Sequence, residues 1–377
     1  MAGLLTVDTI QSDSSYASTL NVASKMNFAA GMQIGGQDAT FGGMRNRIIN
    51  GNMVIDQRNA GASVTPASGA YTLDRWTTGF SQSSKVSIQQ NAGSVTPPSG
   101  FTNYLGATVA ATATVGSTDY FQIAQKIEAN NTADLDWSLS TGKTVTLSFW
   151  ARCSSVVTLG GSIQSVVSPY PSYPFTYSFT AANTWQQFVI TIPAPTAGTN
   201  WNTTGTSASM FIQWNLACGS TYSGTANAWQ NANVFGATGA GSIMGTVGNY
   251  LYITGVQLEK GSAASAFENR QYGTELALCQ RYFEITGEIS NSFLLQGYAA
   301  SAGAQRHPIF YTTRKRTTPT VTVSGGGTTG WSYSNGSGLF VAAAGTDTTR
   351  MEFNAAAAGI TFVYNNNGGY ITSSAEL

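Results

Sequence analysis

The sequence predicts an all-β protein: a jelly-roll β-sandwich preceded by a short, strand-poor segment and followed by one helix and a small second β region. Three observations predict it. Apolar and polar residues alternate over short runs along most of the chain, the signature of half-buried strands. Clusters of Gly, Asn, Ser and Pro close most of these runs, as turn chemistry requires. Only one stretch carries an apolar period suited to a helix.

Residues 1–40 hold isolated apolar pairs, Leu5 with Val7, Leu20 with Val22, Met26 with Phe28 and Met32 with Ile34, separated by Ser, Asp, Gly and Ala. Each pair reads as a very short strand, too sparsely apolar to make a core within one chain. An intertwined β stalk, in which several copies share one apolar axis, accounts for the pattern. Residues 41–270 read as a single sandwich, with strand-like runs at Arg47–Ile49, Met53–Ile55, Val86–Ile88, Phe121–Ile123, Val145–Trp150, Gln187–Ile192, Met210–Trp214 and Tyr250–Ile253. In the fifth run Val145, Leu147 and Phe149 share one face, opposite Thr146 and Ser148. The polar stretches 161–184, 194–208 and 217–249 are expected to be loops with room for short hairpins. Within 271–284 a linking helix is expected from Gly273 to Phe283, because Leu276, Cys279, Tyr282 and Phe283 fall on one helical face. Residues 285–377 return to β patterning, with Gly325-Gly326-Gly327, Asn335-Gly336 and Asn365–Gly369 as turns, and read as a small C-terminal β domain.

Composition narrows the chemistry. Charged residues make up 9% of the 377, the formal net charge is zero, and the one histidine is His307. Nucleic-acid binding draws on clustered Lys and Arg; the basic run Arg314-Lys315-Arg316 reads as a solvated turn, so no nucleic-acid partner is expected. No run of about 20 apolar residues is present to span a bilayer, and the opening residues lack the pattern of a signal peptide. Cys153, Cys218 and Cys279 lie too far apart for a metal motif or a disulfide framework and are expected to be small buried hydrophobes. A Ser-His-Asp triad or a multi-His metal site would have to run through His307, and no G-x-S-x-G motif occurs. A glycosidase needs only two carboxylates, but acidic residues are sparse, and the i, i+2 pair Asp134 and Asp136 fits a turn or a calcium contact better than a dyad. No enzyme activity, cofactor or metal is expected; a polysaccharide hydrolase is the lesser reading.

Two stretches carry a family resemblance. One is Arg45–Asn59, followed by Tyr71-Thr72-Leu73-Asp74-Arg75-Trp76; the other is Gly255–Gly261, followed by Phe267–Arg270 and Glu275–Phe283. Together they resemble the opening and closing strands of a carbohydrate-binding-module-like jelly roll found in tail-fibre and other virion structural proteins of phages, especially those of marine and cyanobacterial hosts. The resemblance spans roughly residues 41–285. It implies a homotrimer on the outside of a virion, more expected on the tail than the capsid. The N-terminal segment would dock to another virion protein and the C-terminal domain would face a host-surface glycan. A head fibre, capsid decoration or tail adaptor is the alternative. Leu73 and Trp76 would be core, while Arg75 and Arg270 would pair with carboxylates such as Asp74 or Glu268.

Sugar recognition uses flat aromatic rings beside amides. Loop aromatics are therefore the candidate ligand-binding residues: Tyr170, Tyr173, Trp201, Tyr222 and Trp229, with Trp331 and Tyr333 in the distal region. The competing reading is that these rings fill gaps between protomers. Trp76, Trp150, Trp185 and Trp214 lie in strand-like runs and are expected in the core.

Overall fold

The computed structural model describes residues 33–34, 37–38, 44–196, 199–287, 293–323, 331–343, 345–365 and 369–377. The expected stalk, residues 1–40, therefore lies outside the described residues, apart from an antiparallel pairing of Gln33–Ile34 with Gln37–Asp38.

Ten principal strands build a jelly-roll-like sandwich: β1 (Thr77–Phe80), β2 (Val86–Gln90), β3 (Leu105–Val109), β4 (Tyr120–Glu128), β5 (Val145–Cys153), β6 (Thr158–Ser165), β7 (Pro171–Ser178), β8 (Trp185–Ile192), β9 (Ala208–Cys218) and β10 (Tyr250–Lys260). One sheet has the order β8-β5-β10-β3-β2. The other runs β7-β6-β9-β4-β1, with the short Gln230–Asn231 strand added outside β7. All these pairings are antiparallel. Inward-facing residues of both sheets meet in one core, where the Trp214 ring lies 5.5 Å from Trp76 and 5.7 Å from Phe149. Burying side chains of this size contributes about 2–3 kcal/mol each, so the sandwich is stabilised mainly across its mid-plane.

Several sequence expectations are corrected. The stretch 161–184 is largely the β6–β7 hairpin and not a loop. Strands β1 and β3 carry Gly79 and Gly106 and showed no clear alternation. Conversely, Arg47–Ile49 and Met53–Ile55 form no ladder: isolated main-chain bonds take the Arg47 and Met53 N–H groups, and side chains take much of the rest. Asn46 accepts from the Ile48 and Leu258 amides and donates to the Val256 carbonyl. The Gln125 amide takes the Ile49 N–H and returns a bond to the Ile49 carbonyl, at 3.0 and 2.9 Å. Asn50 bridges to both backbone groups of Ile55 and to the Asp74 carbonyl. Gly51 passes so close to β10 that a Cβ there would sit 2.2 Å from the Val256 carbonyl oxygen. Cys153 and Cys279 are buried, while Cys218 is half-buried.

The helix, α1, runs Tyr272–Gln280. Tyr282 and Phe283 lie beyond it, since Phe283–Thr286 (β11) leaves the helical path to pair with Ile371–Ser374. The C-terminal strands are β12 (Phe293–Ala299), β13 (Gly303–Phe310), β14 (Thr320–Val323), β15 (Trp331–Ser334), β16 (Gly336–Ala343), β17 (Thr348–Ala355), β18 (Gly359–Asn365) and β19 (Ile371–Ser374). They form three three-stranded sheets, β11-β19-β14, β12-β18-β15 and β13-β17-β16. Among the described residues their shared core comprises Met351, Phe353, Val363 and Ile371, with Ile309, Val321, Val323 and Val341 against it.

Ion pairs fasten this region to the sandwich. Arg75 is fully buried in a left-handed turn (φ 71°), lies 3.6 Å from the Tyr282 ring centre, pairs with Glu376 and donates to the Lys126 carbonyl. Arg58 pairs with the same carboxylate at 2.8 Å. Glu128 receives Arg281 at 2.8 Å and the Tyr282 hydroxyl at 2.8 Å. Arg75 thus pairs with a carboxylate 301 residues away and not with Asp74, whereas Arg270 does meet Glu268, and Glu275 as well. The run 314–316 is no solvated turn: Lys315 is fully buried against Glu284, and Arg316 donates to the carbonyls of Thr206, Ala375 and Glu376. Only Arg314 of the three is exposed.

Asp74 lies among these groups, accepting from the Gln57 amide and side chain at 2.7 Å each. Burial pushes its carboxyl up to about 6, and Glu376 adds to the push, while Arg58 and the Gln57 donors oppose it. An unfolded aspartate titrates near 3.9, so the proton's stabilising contribution is fully present below that value and is lost as pH rises through about 6. The urea midpoint should accordingly fall between pH 4.5 and 7.5, by an equivalent of about 1–3 kcal/mol, and D74N should flatten this dependence. R75A leaves Glu376 buried with Arg58 as its one remaining ion-pair partner among the described residues and should cost about 3 kcal/mol in chemical denaturation.

Candidate functional site

Strand alternation decides which side chains of the β8-β5-β10-β3-β2 sheet face outward. With Val145, Leu147, Phe149, Ala151 and Cys153 buried inward, Ser148, Trp150 and Arg152 must point to the outer face. The register places Trp185 of β8 opposite Arg152, Gln187 opposite Trp150 and Val189 opposite Ser148. On the other side of β5, Tyr252 lies opposite Arg152 and Thr254 opposite Trp150.

This outer face is partly covered. The segment between β2 and β3 folds over it: Tyr104 is fully buried against Tyr252 (5.1 Å) and meets Trp185 edge-on at 5.4 Å. Gly106 makes that cover possible, because a Cβ there would lie 2.5 Å from Cβ of Ala92. Farther along, Thr254 donates to the Asn103 carbonyl, and Gln257 and Glu259 are held by Ser265. The part left open carries Trp150, Arg152, Trp185, Gln187, Val189 and Tyr250, with Asn183 at its rim. Trp150, Arg152, Trp185 and Tyr250 are half-buried, while Gln187 and Val189 are exposed.

The ledge is ordered by its own contacts. Tyr250 stacks on Tyr252 at 4.0 Å and 17°. Its hydroxyl accepts from Arg152 Nε at 3.1 Å and donates to Asn183 Oδ1. Trp185 Nε1 donates to the Thr96 carbonyl at 2.9 Å. Ring faces, amides and one guanidinium are thus presented together. Such a surface can stack on the apolar face of a ring and hydrogen-bond to its hydroxyls.

The sequence-predicted aromatics lie elsewhere. Trp201 and Trp229 join Trp137, with centroid separations of 4.8, 5.5 and 5.9 Å, and Tyr173 sits 5.3 Å from Trp229. All three indole nitrogens are satisfied internally, by Lys143, Thr199 and Pro193. Tyr173 is 4% and Trp201 8% exposed, so neither offers a free ring face as placed. A shallow depression of about 350 Å³, lined by Ser138, Val167, Thr199, Asn200 and Trp201, opens beside them. Tyr222 stacks on Phe235 at 4.6 Å. Tyr170, in the β6–β7 turn with φ 63°, is 40% exposed. Trp331 and Tyr333 lie in β15, opposite Asn365 and Val363 of β18. The structure therefore brings Tyr173, Trp201 and Trp229 together, and leaves Tyr170, Tyr222 and the β15 pair apart.

Trp150 and Trp185 were expected in the core and instead form the ledge, a correction that strand alternation itself supplies. Trp76 and Trp214 are fully buried, as expected. His307 stacks on Phe353 at 5.9 Å across the β13–β17 pairing. Asp134 is taken up by Arg47 at 2.7 Å, and Asp136 occupies a left-handed turn near Thr141. Among the described residues, no group of three or more His, Cys, Asp or Glu side chains is placed to hold a metal ion. Stability should separate the two tryptophan sets: W137A should cost about 3–5 kcal/mol in urea denaturation, and W150A no more than about 1 kcal/mol.

No family model and no curated protein matches the chain. Among solved structures, the enzymatically active domain of bacteriophage CBA120 tailspike protein 4 is similar over 57% of this chain at 15% identity, with a TM-score of 0.32. The match spans only 21% of that tailspike chain. TmCBM61, solved in complex with beta-1,4-galactotriose, is similar over 58% of this chain and 99% of its own, at 11% identity and a TM-score of 0.30. The family 11 carbohydrate-binding module of Clostridium thermocellum cellulase Lic26A-Cel5E covers 56% of this chain and 100% of its own, at 12% identity and a TM-score of 0.26.

Proposed function

We propose that the chain is a non-catalytic, glycan-binding component of a tailed-phage virion, a homotrimeric tail fibre that attaches to the host surface. The glycan reading is carried by the open aromatic ledge of Trp150, Trp185 and Tyr250 with Arg152, Gln187 and Asn183. A protein needing only a stable sandwich would have its half-buried indoles covered, as Tyr104 covers Tyr252. The virion reading is supported by the resemblance carried by residues 45–59, 71–76 and 255–283. In this reading residues 1–40 dock to another virion protein and residues 285–377 form a distal unit, which the Arg75–Glu376 and Arg58–Glu376 pairs hold at a set orientation.

One observation favours a second reading, a head fibre, capsid decoration or tail adaptor without a receptor. Asn46, Asn50, Gln125, Arg75 and Arg270, all in or beside the segments that carry the resemblance, spend their polar groups on the backbone or on ion pairs.

Sedimentation equilibrium should give three times the 39.5 kDa chain mass; a monomer would rule out the trimer. The double variant W150A/W185A should lower affinity for isolated host polysaccharide about tenfold or more, at about 1 kcal/mol per stacked ring. Immunogold labelling of virions separates tail from capsid.

A further inference from the structure

We infer that the ledge selects an anionic saccharide, one bearing a carboxylate or sulfate, and that Arg152 is the residue that reads the charge. This inference rests on the ledge being the glycan-binding surface.

The ionic surroundings of Arg152 distinguish it. Most other arginines of the sandwich are consumed by carboxylates: Arg47 by Asp134, Arg58 and Arg75 by Glu376, Arg270 by Glu268 and Glu275. Arg152 forms no ion pair among the described residues; its Nε donates to the Tyr250 hydroxyl and its guanidinium lies 5.8 Å from the Tyr250 ring centre. The segments around the ledge, 91–104, 154–157, 179–187 and 246–250, contain no Asp or Glu. On the same sheet face the nearest acidic register position is Glu259, opposite Thr146. Arg152 lies six residue steps along β5 from Thr146, about 20 Å at 3.3 Å per residue. That distance exceeds two Debye lengths at physiological ionic strength. Glu259 is also fully occupied by Ser265 and Gln257.

The bond from Nε to Tyr250, itself tied to Asn183, restrains the guanidinium while leaving its two terminal nitrogens without a partner among the described residues. A guanidinium with two adjacent free N–H groups matches a carboxylate or sulfate in a bidentate, charge-assisted arrangement. Trp185 lies opposite Arg152 across one strand spacing, about 4.8 Å, and Trp150 is two residues along the same face, about 6.6 Å. A pyranose stacked on either indole would therefore hold a ring substituent within reach of Arg152. A neutral sugar would use the same rings and leave the cation solvated.

The test uses the full-length chain and calorimetric titration with acidic oligosaccharides, each paired with a neutral counterpart of the same backbone. Suitable pairs are oligogalacturonate with its methyl ester, and a sulfated galactan with the desulfated form. At least one acidic member should bind about tenfold or more tightly than its neutral partner, with affinity falling as NaCl rises. R152Q should remove that preference, R152K should retain part of it, and all variants should melt within a few degrees of wild type. Equal binding of acidic and neutral members, or an acidic preference that survives R152Q, overturns the assignment to Arg152 while the ledge stands. Acidic and neutral binding both unaffected by W150A/W185A, or no binding of any pair, overturns the ledge and this inference together.

Discussion

Arg75 is the contact on which the assembly of this chain depends. It sits in a tight turn between Leu73 and Trp76, in a backbone conformation that costs a non-glycine residue about 1–2 kcal/mol. What offsets that cost is position. The guanidinium is sandwiched between the Tyr282 ring and the Glu376 carboxylate and caps the Lys126 carbonyl at the end of β4. One side chain thereby touches the first turn of the sandwich, the exit of α1 and the last residues of the C-terminal region. Because the charge is buried, its partner is obligatory, and the C-terminal region is docked by ionic necessity as well as by apolar contact.

The same economy runs through the opening segment. A chain with few charges must satisfy buried backbone groups with neutral amides, and Asn46, Asn50 and Gln125 each behave as a spare peptide group. These bonds let 45–59 cross the end of the sandwich without becoming a strand, since every buried N–H and C=O needs a partner but not a ladder. The arrangement also raises the Asp74 carboxyl to about 6, because the turn that positions Arg75 buries its neighbour.

Packing and binding surfaces are built from the same residue types and separated by geometry. Trp137, Trp201 and Trp229 point their N–H groups at internal acceptors and pack edge to face, closing one end of the sandwich. Trp150 and Trp185 stand on an outer sheet face that the 91–104 segment covers only in part. Glycine at 106 sets how closely that cover approaches, and so where the open ledge begins.

Much of the architecture was legible in the amino-acid order. Alternation marked most of the long strands, and turn residues marked their ends. The absence of a helical period elsewhere left α1 alone among the described residues, and the apolar strength of Trp76 and Trp214 placed them in the core. Those features are local, and local periodicity records them directly. The site was less legible. Tyr173, Trp201 and Trp229 looked like exposed loop aromatics because loop sequences carry no period from which burial can be read. Trp150 lies in a strand-like run yet outside the core, because the alternation of Val145, Leu147 and Phe149 turns it outward. Three things belonged to the tertiary structure alone: the pairing of Arg75 with Glu376, the burial of Lys315 within a run that reads as solvated, and the uncovered part of one sheet. Each depends on which distant segment arrives at a given surface, and the sequence pattern around a residue holds no record of that arrival.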